Sequence, residues 1–423
     1  MGQVIYYSDG GPERDLKKEE IRAALKSALG SLADRERVLI LPPDITRAHS
    51  GAGMITELLC QQLGEKVKDI LPALGTHVPM EPNEISRMFG TVPHTLFREH
   101  RWRTDIEELG RIPSSFVSEV TGGRLDFDYP VQVNRLLASG GHDLIISVGQ
   151  VVPHEVTGMA NYNKNVFVGC GGSEAINKSH FIGAAHGIEN ILGTTENPVR
   201  AVLNKASELA AGRLPLLYVL TVVSPDRDGK IKIRGLFVGD DIGCFTQASA
   251  LSREVNFTTL PERLTKVVVW LDPEEFKSTW LGNKSIYRTR MAIADAGELV
   301  VLAPGVKTFG EDPDIDKLIR KYGYRTTPEI LAFVEGNGDL RENLSAAAHL
   351  IHGSPEKRFR VTYAAGHLTR EEVESVGYSF GDITGLMKRY DPLSLVTGFH
   401  TTADGEEFYF ISNPATGLWK AVR

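Results

Sequence analysis

The segment GHDLIISVGQVVPHEVTGMANYNKNVFVGCGG, residues 141–172, indicates the fold of the chain more clearly than any other stretch. It opens with residues 144–148, LIISV, an apolar run typical of a strand buried in a parallel sheet. The run breaks at Gly149, and the ligand-binding loops of α/β proteins leave such strands at their carboxyl ends. We therefore expect His154 to lie in a loop beside a crevice, followed by Lys164 in a turn rich in glycine, asparagine and tyrosine.

Two earlier apolar runs end in the same way. Residues 37–41 lead into Asp44 and Arg47, and residues 68–74 lead into His77. Because parallel strands of an open sheet bring their carboxyl ends to one edge, we expect these side chains to lie near the histidine loop described above. A lone histidine usually has a structural role. Polar side chains at three successive strand ends make a purely structural role for His77 and His154 less favoured.

Asp44 and Arg47 each allow more than one interpretation. Arg47 can bind a carboxylate or a phosphate through two parallel hydrogen bonds. Asp44 can point into the same pocket, but it can equally cap the helix that follows near Gly53 or form a structural ion pair. The spacing alone leaves these roles open.

The composition is that of an ordinary globular protein. Its 423 residues are 42% apolar and 24% charged, enough for a large core and for two or three domains. The net charge of −7, without a basic stripe, argues against nucleic acid as a partner. No long apolar run predicts a membrane span and no signal peptide is evident, so we expect the cytoplasm. Cys60, Cys170 and Cys244 are too scattered for a disulfide framework or a thiolate metal site.

The order of the apolar runs predicts an α/β protein with two α/β domains, mostly parallel sheets and an active-site cleft between the domains. A hairpin pattern within residues 216–239 closes a first domain, residues 1–262, which carries the histidine loops. A new α/β alternation indicates a second domain, residues 263–423. Its last strand, residues 407–411, can also return to the first domain.

Two histidines and an arginine suggest proton transfer at a small anionic substrate, because imidazole titrates near neutral pH and guanidinium binds carboxylates. The hydrogen on the α-carbon of a hydroxy acid is too weakly acidic for a histidine to remove alone. A cofactor that accepts hydride would solve this problem, leaving only the hydroxyl proton to the histidine. No G-x-G-x-x-G segment and no Walker loop indicate an ordinary nucleotide site.

The chain resembles the nickel-pincer lactate racemases and their 2-hydroxy-acid racemase and epimerase relatives. The resemblance covers most of the chain and is carried by three motifs in order. These motifs are Asp44-Ile45-Thr46-Arg47, Gly75-Thr76-His77-Val78-Pro79, and the trio His154, Lys164 and His180, spaced by ten and then sixteen residues.

The resemblance implies a racemase or epimerase, an isomerase, that carries a nickel pincer nucleotide. This cofactor is a pyridinium-3-thioamide-5-thiocarboxylic acid mononucleotide with nickel, attached covalently to Lys164, and His180 completes the metal coordination. His77 and His154 would be the acid/base residues. The other implied contacts are Asp44, Thr46, Arg47 and Tyr287 for the cofactor, and Arg47, Arg288 and Arg290 for the substrate. Arg47 can serve either group.

Three departures from the family pattern bear on the substrate. Residues 161–163, Asn-Tyr-Asn, precede Lys164 where lactate racemases carry Gly-Gly. The family's Tyr-Gln-x-x-Lys motif corresponds to Tyr287-Arg288-Thr289-Arg290-Met291, with methionine at the lysine position, and residues 342–345 have leucine where the family has a tryptophan. These departures predict a 2-hydroxy acid larger or more polar than lactate.

Two other functions stay open. One is a zinc-dependent hydrolase or lyase with His77, His154 and His180 as ligands, a scheme that leaves Lys164 without a role. The other is a non-catalytic protein that binds a small anion. The expected partners are the small-molecule substrate and, transiently, the enzymes that make the cofactor; neither a membrane nor nucleic acid is expected, and the oligomeric state is open.

Overall fold

The computed structural model describes residues 5–226, 228–415 and 417–422. The chain divides into two compact units. The first runs up to Ile182 and includes Asn190–Asn256, and the second comprises Gly183–Glu189 and the chain from Phe257 onward. Among the described residues, no helix combines the length and the apolar character that a membrane crossing requires.

The elements up to Asn256 alternate between strands and helices, as the apolar runs predict. The strands are β1 Ile5–Gly10, β2 Val38–Leu41, β3 Val67–Ile70, β4 Ile106–Ile112, β5 Tyr129–Asn134, β6 Leu144–Gln150, β7 Pro153–His154, β8 Gly158–Met159, β9 Leu216–Pro225 and β10 Ile231–Gly239. The α-helices are α1 Lys18–Leu29, α2 Ala52–Leu63, α3 Pro82–Phe89, α4 Ser114–Val120, α5 Arg135–Ser139, α6 Ser173–His186, α7 Ile188–Ile191, α8 Pro198–Ala210 and α9 Ile242–Asn256. Short 3-10 helices span Gly30–Leu32, Ile45–Ser50, Gly64–Lys66 and His94–Leu96, and a π-helical turn spans Asn165–Gly169.

The main sheet of the first unit has the strand order β1-β10-β9-β6-β2-β3. Strands β3, β2, β6 and β9 run parallel, whereas β10 and β1 are antiparallel to their neighbours. The predicted hairpin is therefore confirmed as β9 and β10. Strands β2 and β6 are buried along their whole length, which explains why both read as continuous apolar runs.

Residues 97–141 gave no clear pattern in the sequence, and they form a separate antiparallel pair, β4 with β5. The pattern fails because the pair is only partly covered: β4 alternates irregularly between exposed and half-buried positions. Its register shifts at a bulge between Glu108 and Gly110, which breaks the two-residue period. The backbone N–H of Asn134 at the end of β5 donates to the carbonyl of Cys170 (2.7 Å) and so ties this pair to the central segment.

The elements from Phe257 onward build a second sheet. The strands are β11 Phe257–Leu260, β12 Leu264–Trp270, β13 Ile293–Ala303, β14 Arg360–Ala365, β15 Ser379–Phe380, β16 Gly398–Thr401, β17 Glu407–Ile411 and β18 Leu418–Ala421. The helices are α10 Thr279–Gly282, α11 Lys284–Tyr287, α12 Pro313–Tyr322, α13 Thr327–Gly336, α14 Gly338–Glu342, α15 Leu344–His352, α16 Arg370–Ser375 and α17 Ile383–Tyr390.

This second sheet has the order β15-β14-β13-β12-β17-β16 and is parallel except for the edge strand β16. The predicted α/β fold with mostly parallel sheets is thus confirmed. Strand β17, the run that could have returned to the first domain, pairs with β12 and β16 in this sheet. The longer segment of the second unit starts at Phe257 with β11, which pairs with the late strand β18.

We expect Gly53→Ala to destabilise the first unit. A Cβ atom at this position of α2 would lie 2.0 Å from the carbonyl oxygen of Met88 at the end of α3. Overpacking of this kind costs about 1–3 kcal/mol of unfolding free energy, which urea denaturation measures. Gly30→Ala is the matched control, because a Cβ there meets nothing within 4 Å and the backbone is helical. Equal losses in both variants would contradict the packing argument.

Candidate active site

Asp44 and His77 form a hydrogen-bonded pair at the ends of β2 and β3. Asp44 is buried and its Oδ1 accepts from the backbone N–H (3.1 Å) and the hydroxyl (2.5 Å) of Thr46, so it does cap the helix Ile45–Ser50. Its Oδ2 lies 2.5 Å from Nδ1 of His77. Asp44 thus caps this 3-10 helix and not the helix expected near Gly53, α2, whose N-cap is Gly51, while the ion pair that the sequence left open is formed with His77.

The ionisation of Asp44 determines the tautomer of His77. Burial would raise the pKa of Asp44, but the neighbouring imidazole, the bonds from Thr46 and the charge of Arg47 outweigh it and lower the pKa to about 2. An ionised carboxylate only accepts hydrogen bonds, so Nδ1 of His77 donates. In the neutral ring Nε2 then carries a lone pair and can accept a proton.

Backbone contacts join the loop that carries His77 to the segment that carries Lys164. The N–H of Gly75 donates to the carbonyl of Gly169 (2.8 Å), and Gly75 has a φ of 59°, which glycine adopts at little cost. A Cβ atom on Gly169 would lie 2.9 Å from the side chain of Ala73. Glycine at both positions lets the two loops approach this closely.

His154 is buried in the short strand β7, which pairs with β8. Its Nδ1 accepts a hydrogen bond from the backbone N–H of Val156 (3.1 Å). A backbone amide can only donate, so the neutral ring carries its proton on Nε2. His77 and His154 are thus held in opposite tautomers, one as a proton acceptor at Nε2 and the other as a donor.

Lys164 precedes the π-helical turn Asn165–Gly169 and is half-buried. Within the described part of the chain, its amine forms no hydrogen bond or ion pair. Burial, then the charge of Arg47, lowers the pKa of Lys164 to about 8, with Glu155 and Asp44 opposing the change. Single π-helical turns are frequent at functional sites, and here one follows the predicted tether directly.

The backbone before Lys164 is unusual. Asn161 and Tyr162 have φ values of 64° and 58°, a left-handed conformation that costs most residues free energy. Asn161 stabilises it locally, since its Oδ1 accepts from the N–H of Tyr162 (2.7 Å). The Tyr162 ring stacks on Phe245 with a centroid distance of 5.0 Å. The chain thus reaches, without glycine, a conformation in which Gly-Gly would meet no steric resistance.

His180 lies in α6, one turn after Ile176. Its Nδ1 is 2.7 Å from the carbonyl oxygen of Ile176, which only accepts, so Nδ1 donates and Nε2 carries a lone pair. Burial lowers the pKa of His180 to about 4, although this hydrogen bond opposes the shift. An imidazole fixed by a backbone carbonyl in this way has the usual arrangement of a metal-binding histidine. Electrostatic interactions link His180 with Lys164 and His77, which brings the three motifs into one region of the first unit.

Among the described residues, no three histidine, cysteine, aspartate or glutamate side chains are grouped so that they alone could hold a metal ion. The zinc interpretation required His77, His154 and His180 as three ligands of one ion. The Nδ1 bonds of His77 to Asp44 and of His180 to Ile176 leave Nε2 of each ring available, but the three imidazoles do not form such a group in the described part of the chain.

Comparison with known proteins agrees with this arrangement. The model of the lactate racemase N-terminal domain matches residues 3–190, which include all of the motif residues of the first unit. This part of the chain is therefore similar to the N-terminal domain of lactate racemases.

Solved structures share the fold of the whole chain. A crystal structure of a protein from Thermotoga maritima covers 97% of this chain and 99% of its own, with a TM-score of 0.83 and 25% identity. The lactate racemase apoprotein from Thermoanaerobacterium thermosaccharolyticum covers 95% of this chain and 92% of its own, with a TM-score of 0.72 and 16% identity. At that identity the second likeness shows the fold alone. None of the curated proteins matches the chain.

Two of the three arginines expected to bind substrate, Arg288 and Arg290, lie in the second unit, outside the segment that matches the lactate racemase N-terminal domain. Arg290 is buried, with Nε 2.7 Å from a carboxylate oxygen of Glu189 and Nη1 donating to the carbonyl of Ser354 (3.2 Å). Arg288 is also buried and donates to the carbonyl of Gly417 (3.2 Å). Contacts with protein acceptors favour structural roles for both arginines, and their binding of substrate stays a prediction.

Lys284 is a candidate that the sequence analysis did not single out. It is buried in α11, and its Nζ lies 5.6 Å from the ring centroid of Phe276. In the family motif a lysine follows the aromatic residue by four positions. Met291 replaces that lysine after Tyr287, but an aromatic residue and a lysine with the same spacing occur at Trp280 and Lys284. This spacing was the signal that could have found it.

We expect the Lys164 amine to react with an acylating reagent at a lower pH than other lysines. At a pKa of about 8 it is half neutral at pH 8, whereas a lysine of ordinary pKa, about 10.4, is less than about 1% neutral there. Pulse labelling between pH 6 and 11, followed by peptide mass spectrometry, measures the midpoint. The exposed Lys205 is the internal reference, and a common midpoint for both lysines would contradict the prediction.

Proposed function

We propose that this protein is a racemase or epimerase of a 2-hydroxy acid and that it carries a nickel pincer nucleotide on Lys164. The observation that carries the proposal is the conjunction of an unpaired amine at Lys164 with a carbonyl-fixed imidazole at His180, linked electrostatically within a lactate racemase-like domain. Neither feature alone would distinguish this function from a small-anion binding site.

The two residues fit the proposed cofactor in their chemistry. A neutral amine is the nucleophile needed to form a thioamide, and burial favours the neutral form of Lys164. His180 offers the Nε2 lone pair, a ligand that suits nickel. When bound, the cofactor would accept a hydride from the α-carbon of the substrate and return it to either face. Asp44, Thr46, Arg47 and Tyr287 remain the proposed cofactor contacts.

The chain itself supplies the proton transfers. His77, with Nδ1 donating to Asp44, is arranged to accept the hydroxyl proton of the substrate at Nε2. Asp44 then stabilises the resulting imidazolium, because the carboxylate is already ionised. His154, with its proton on Nε2, is arranged to hydrogen-bond the substrate oxygen from the other side, and the proton held by the His77 imidazolium returns to that oxygen when the hydride returns to carbon. The same steps run in the opposite order in the reverse reaction.

Arg47 is the residue that we propose for the substrate carboxylate. It is half-buried, and its charge contributes to the lowered pKa of both Asp44 and Lys164. The hydrogen bond from its Nη1 to the Thr46 carbonyl is long, at 3.4 Å. A long bond to a neighbouring carbonyl is easily exchanged for a carboxylate. The substrate is proposed to be larger or more polar than lactate, on the strength of the three departures from the family pattern.

We expect a covalent adduct on Lys164, with nickel, after coexpression with the enzymes that make the cofactor. Intact-mass and peptide mass spectrometry measure the adduct, and elemental analysis measures the metal. Lys164→Ala should lose both because the nucleophile is gone, and Lys205→Ala, which removes an exposed lysine, should keep both. His180→Ala should keep the adduct and lose most of the nickel. Wild-type protein that carries neither adduct nor nickel would contradict the proposal and favour a non-catalytic anion-binding protein.

His77→Ala and His154→Ala should each lower racemisation by at least about 100-fold in both directions, since general acid–base catalysis typically contributes 10²- to 10⁴-fold. Enantiomer interconversion across a panel of 2-hydroxy acids, including lactate and sugar acids, measures this. Asp44→Asn should lower kcat as well, because it removes the charge that fixes the His77 tautomer. Near wild-type rates in both histidine variants, or lactate as by far the best substrate, would overturn the corresponding part of the proposal.

A further inference from the structure

Arg200 is a fully buried cation of the first unit that lacks a carboxylate partner among the described residues. It lies in α8, with Nη1 donating to Oδ1 of Asn163 and Nη2 to the carbonyl of Met159 (2.6 Å). The Nε atom is buried without a hydrogen-bond partner. A buried arginine held only by neutral acceptors costs folding free energy, so a role in the site would account for its presence.

The bonds of Arg200 form part of a clamp on Asn163, the residue before Lys164. The Nδ2 of Asn163 donates to Oδ1 of Asn204 (2.8 Å) and to the hydroxyl of Ser207 (3.2 Å). Arg200, Asn204 and Ser207 follow one another at helical spacing, so one face of α8 binds the whole Asn163 amide.

Asn165, the residue after Lys164, is also fixed by side-chain hydrogen bonds. The Nδ2 of Asn165 donates to the carbonyl of Leu41 at the end of β2 and to the hydroxyl of Ser147 in β6, both at 3.2 Å. The lysine backbone is therefore fixed from both sides by asparagine side chains, one bound to a helix and the other to the sheet. Motion of the amine is confined to its own four-carbon chain.

Arg200 also stabilises the strained backbone upstream. Its guanidinium carbon lies 4.5 Å from the ring centroid of Phe245 and 6.0 Å from that of Tyr162, the ring that stacks on Phe245. These cation–π contacts hold Tyr162 in place while its backbone adopts a positive φ. Arg200 thus contacts three groups of the loop: the Met159 carbonyl, the Asn163 side-chain amide and the Tyr162 ring.

We propose that Arg200 is the positioning residue of the Lys164 amine: it holds the tether loop through Asn163 and Met159, and its buried positive charge, which has no carboxylate partner among the described residues, disfavours the ammonium form of the amine. Both effects favour a neutral amine in a fixed place, the state that attaches a cofactor. The inference rests on the proposed function for the identity of that cofactor, but not for the chemistry of the amine.

The electrostatic surroundings of Lys164 support the charge effect. The groups that interact with it are Arg47, Glu155, Asp44, Arg200 and His180. Burial is the largest cause of its lowered pKa, and Arg200 adds to the effect. Loss of Arg200 should therefore raise the pKa of Lys164 in two ways: it removes a nearby positive charge, and it lets water reach a loosened loop.

The test uses the full chain purified without cofactor, labelled at Lys164 across pH as described above. Arg200→Met and Asn163→Asp should each raise the labelling midpoint by at least about 0.3 pH unit, which lowers labelling at pH 7 about twofold. Asn163→Asp is nearly isosteric and pairs the arginine with a carboxylate: the bond from Arg200 is kept, whereas the bond that Nδ2 donates to Asn204 is lost. Arg200→Lys keeps the charge and should recover part of the shift.

Arg234→Met is the matched control, because Arg234 is also a buried arginine bound to neutral acceptors: the hydroxyl of Ser224 (2.9 Å) and the carbonyl of Arg14 (2.9 Å). Its midpoint should equal that of the wild type. An unchanged midpoint in folded Asn163→Asp and Arg200→Met protein, or an equal rise in Arg234→Met, would overturn the inference. Because labelling needs no cofactor, a wild-type chain that never acquires an adduct refutes the proposed function while the role of Arg200 is still measured.

Discussion

The site depends on one constraint of the first sheet: β2, β3 and β6 run parallel, so their carboxyl ends meet at the same edge. Asp44 and His77 follow two of these strands and reach each other across that edge. The third strand leads to His154 and Lys164. Proximity of these groups is therefore a property of strand direction, and the loops only adjust it.

The strands and their ends were predictable because fully buried strands leave continuous apolar runs, as in β2 and β6. The π-helical turn after Lys164 was not, because residues 166–168 read equally well as a strand and the turn is held by a side chain, Asn165. The left-handed pair Asn161 and Tyr162 escaped prediction too, since only tertiary stacking stabilises a tyrosine there. The acceptors of Arg288 and Arg290 could not be read from the sequence, because Gly417 and Glu189 lie far from them along the chain, and substrate binding by the two arginines stays a prediction.

Positive and negative groups are equal in number around Lys164, and burial decides which form of the amine is favoured. Asp44 and Glu155 supply the negative charges around Lys164, while Arg47 and Arg200 supply the positive ones. Burial lowers the pKa of Lys164, as the two arginines do, because it disfavours the charged ammonium form. The same burial disfavours the imidazolium form of His180, so the two groups proposed to hold a cofactor both tend to be neutral. The carboxylate that stays charged, Asp44, is paired with an acid/base candidate.

The bond from Asn165 to the Leu41 carbonyl has a consequence for folding. It joins residues 124 positions apart in the chain, and it can form only after β2 and β6 have paired. Contacts of such long range form late in folding, because the intervening loop must be closed before they can form. The lysine is accordingly presented only by a chain whose sheet is complete. Attachment of a group at this position would then select folded molecules from unfolded ones without any separate proofreading step.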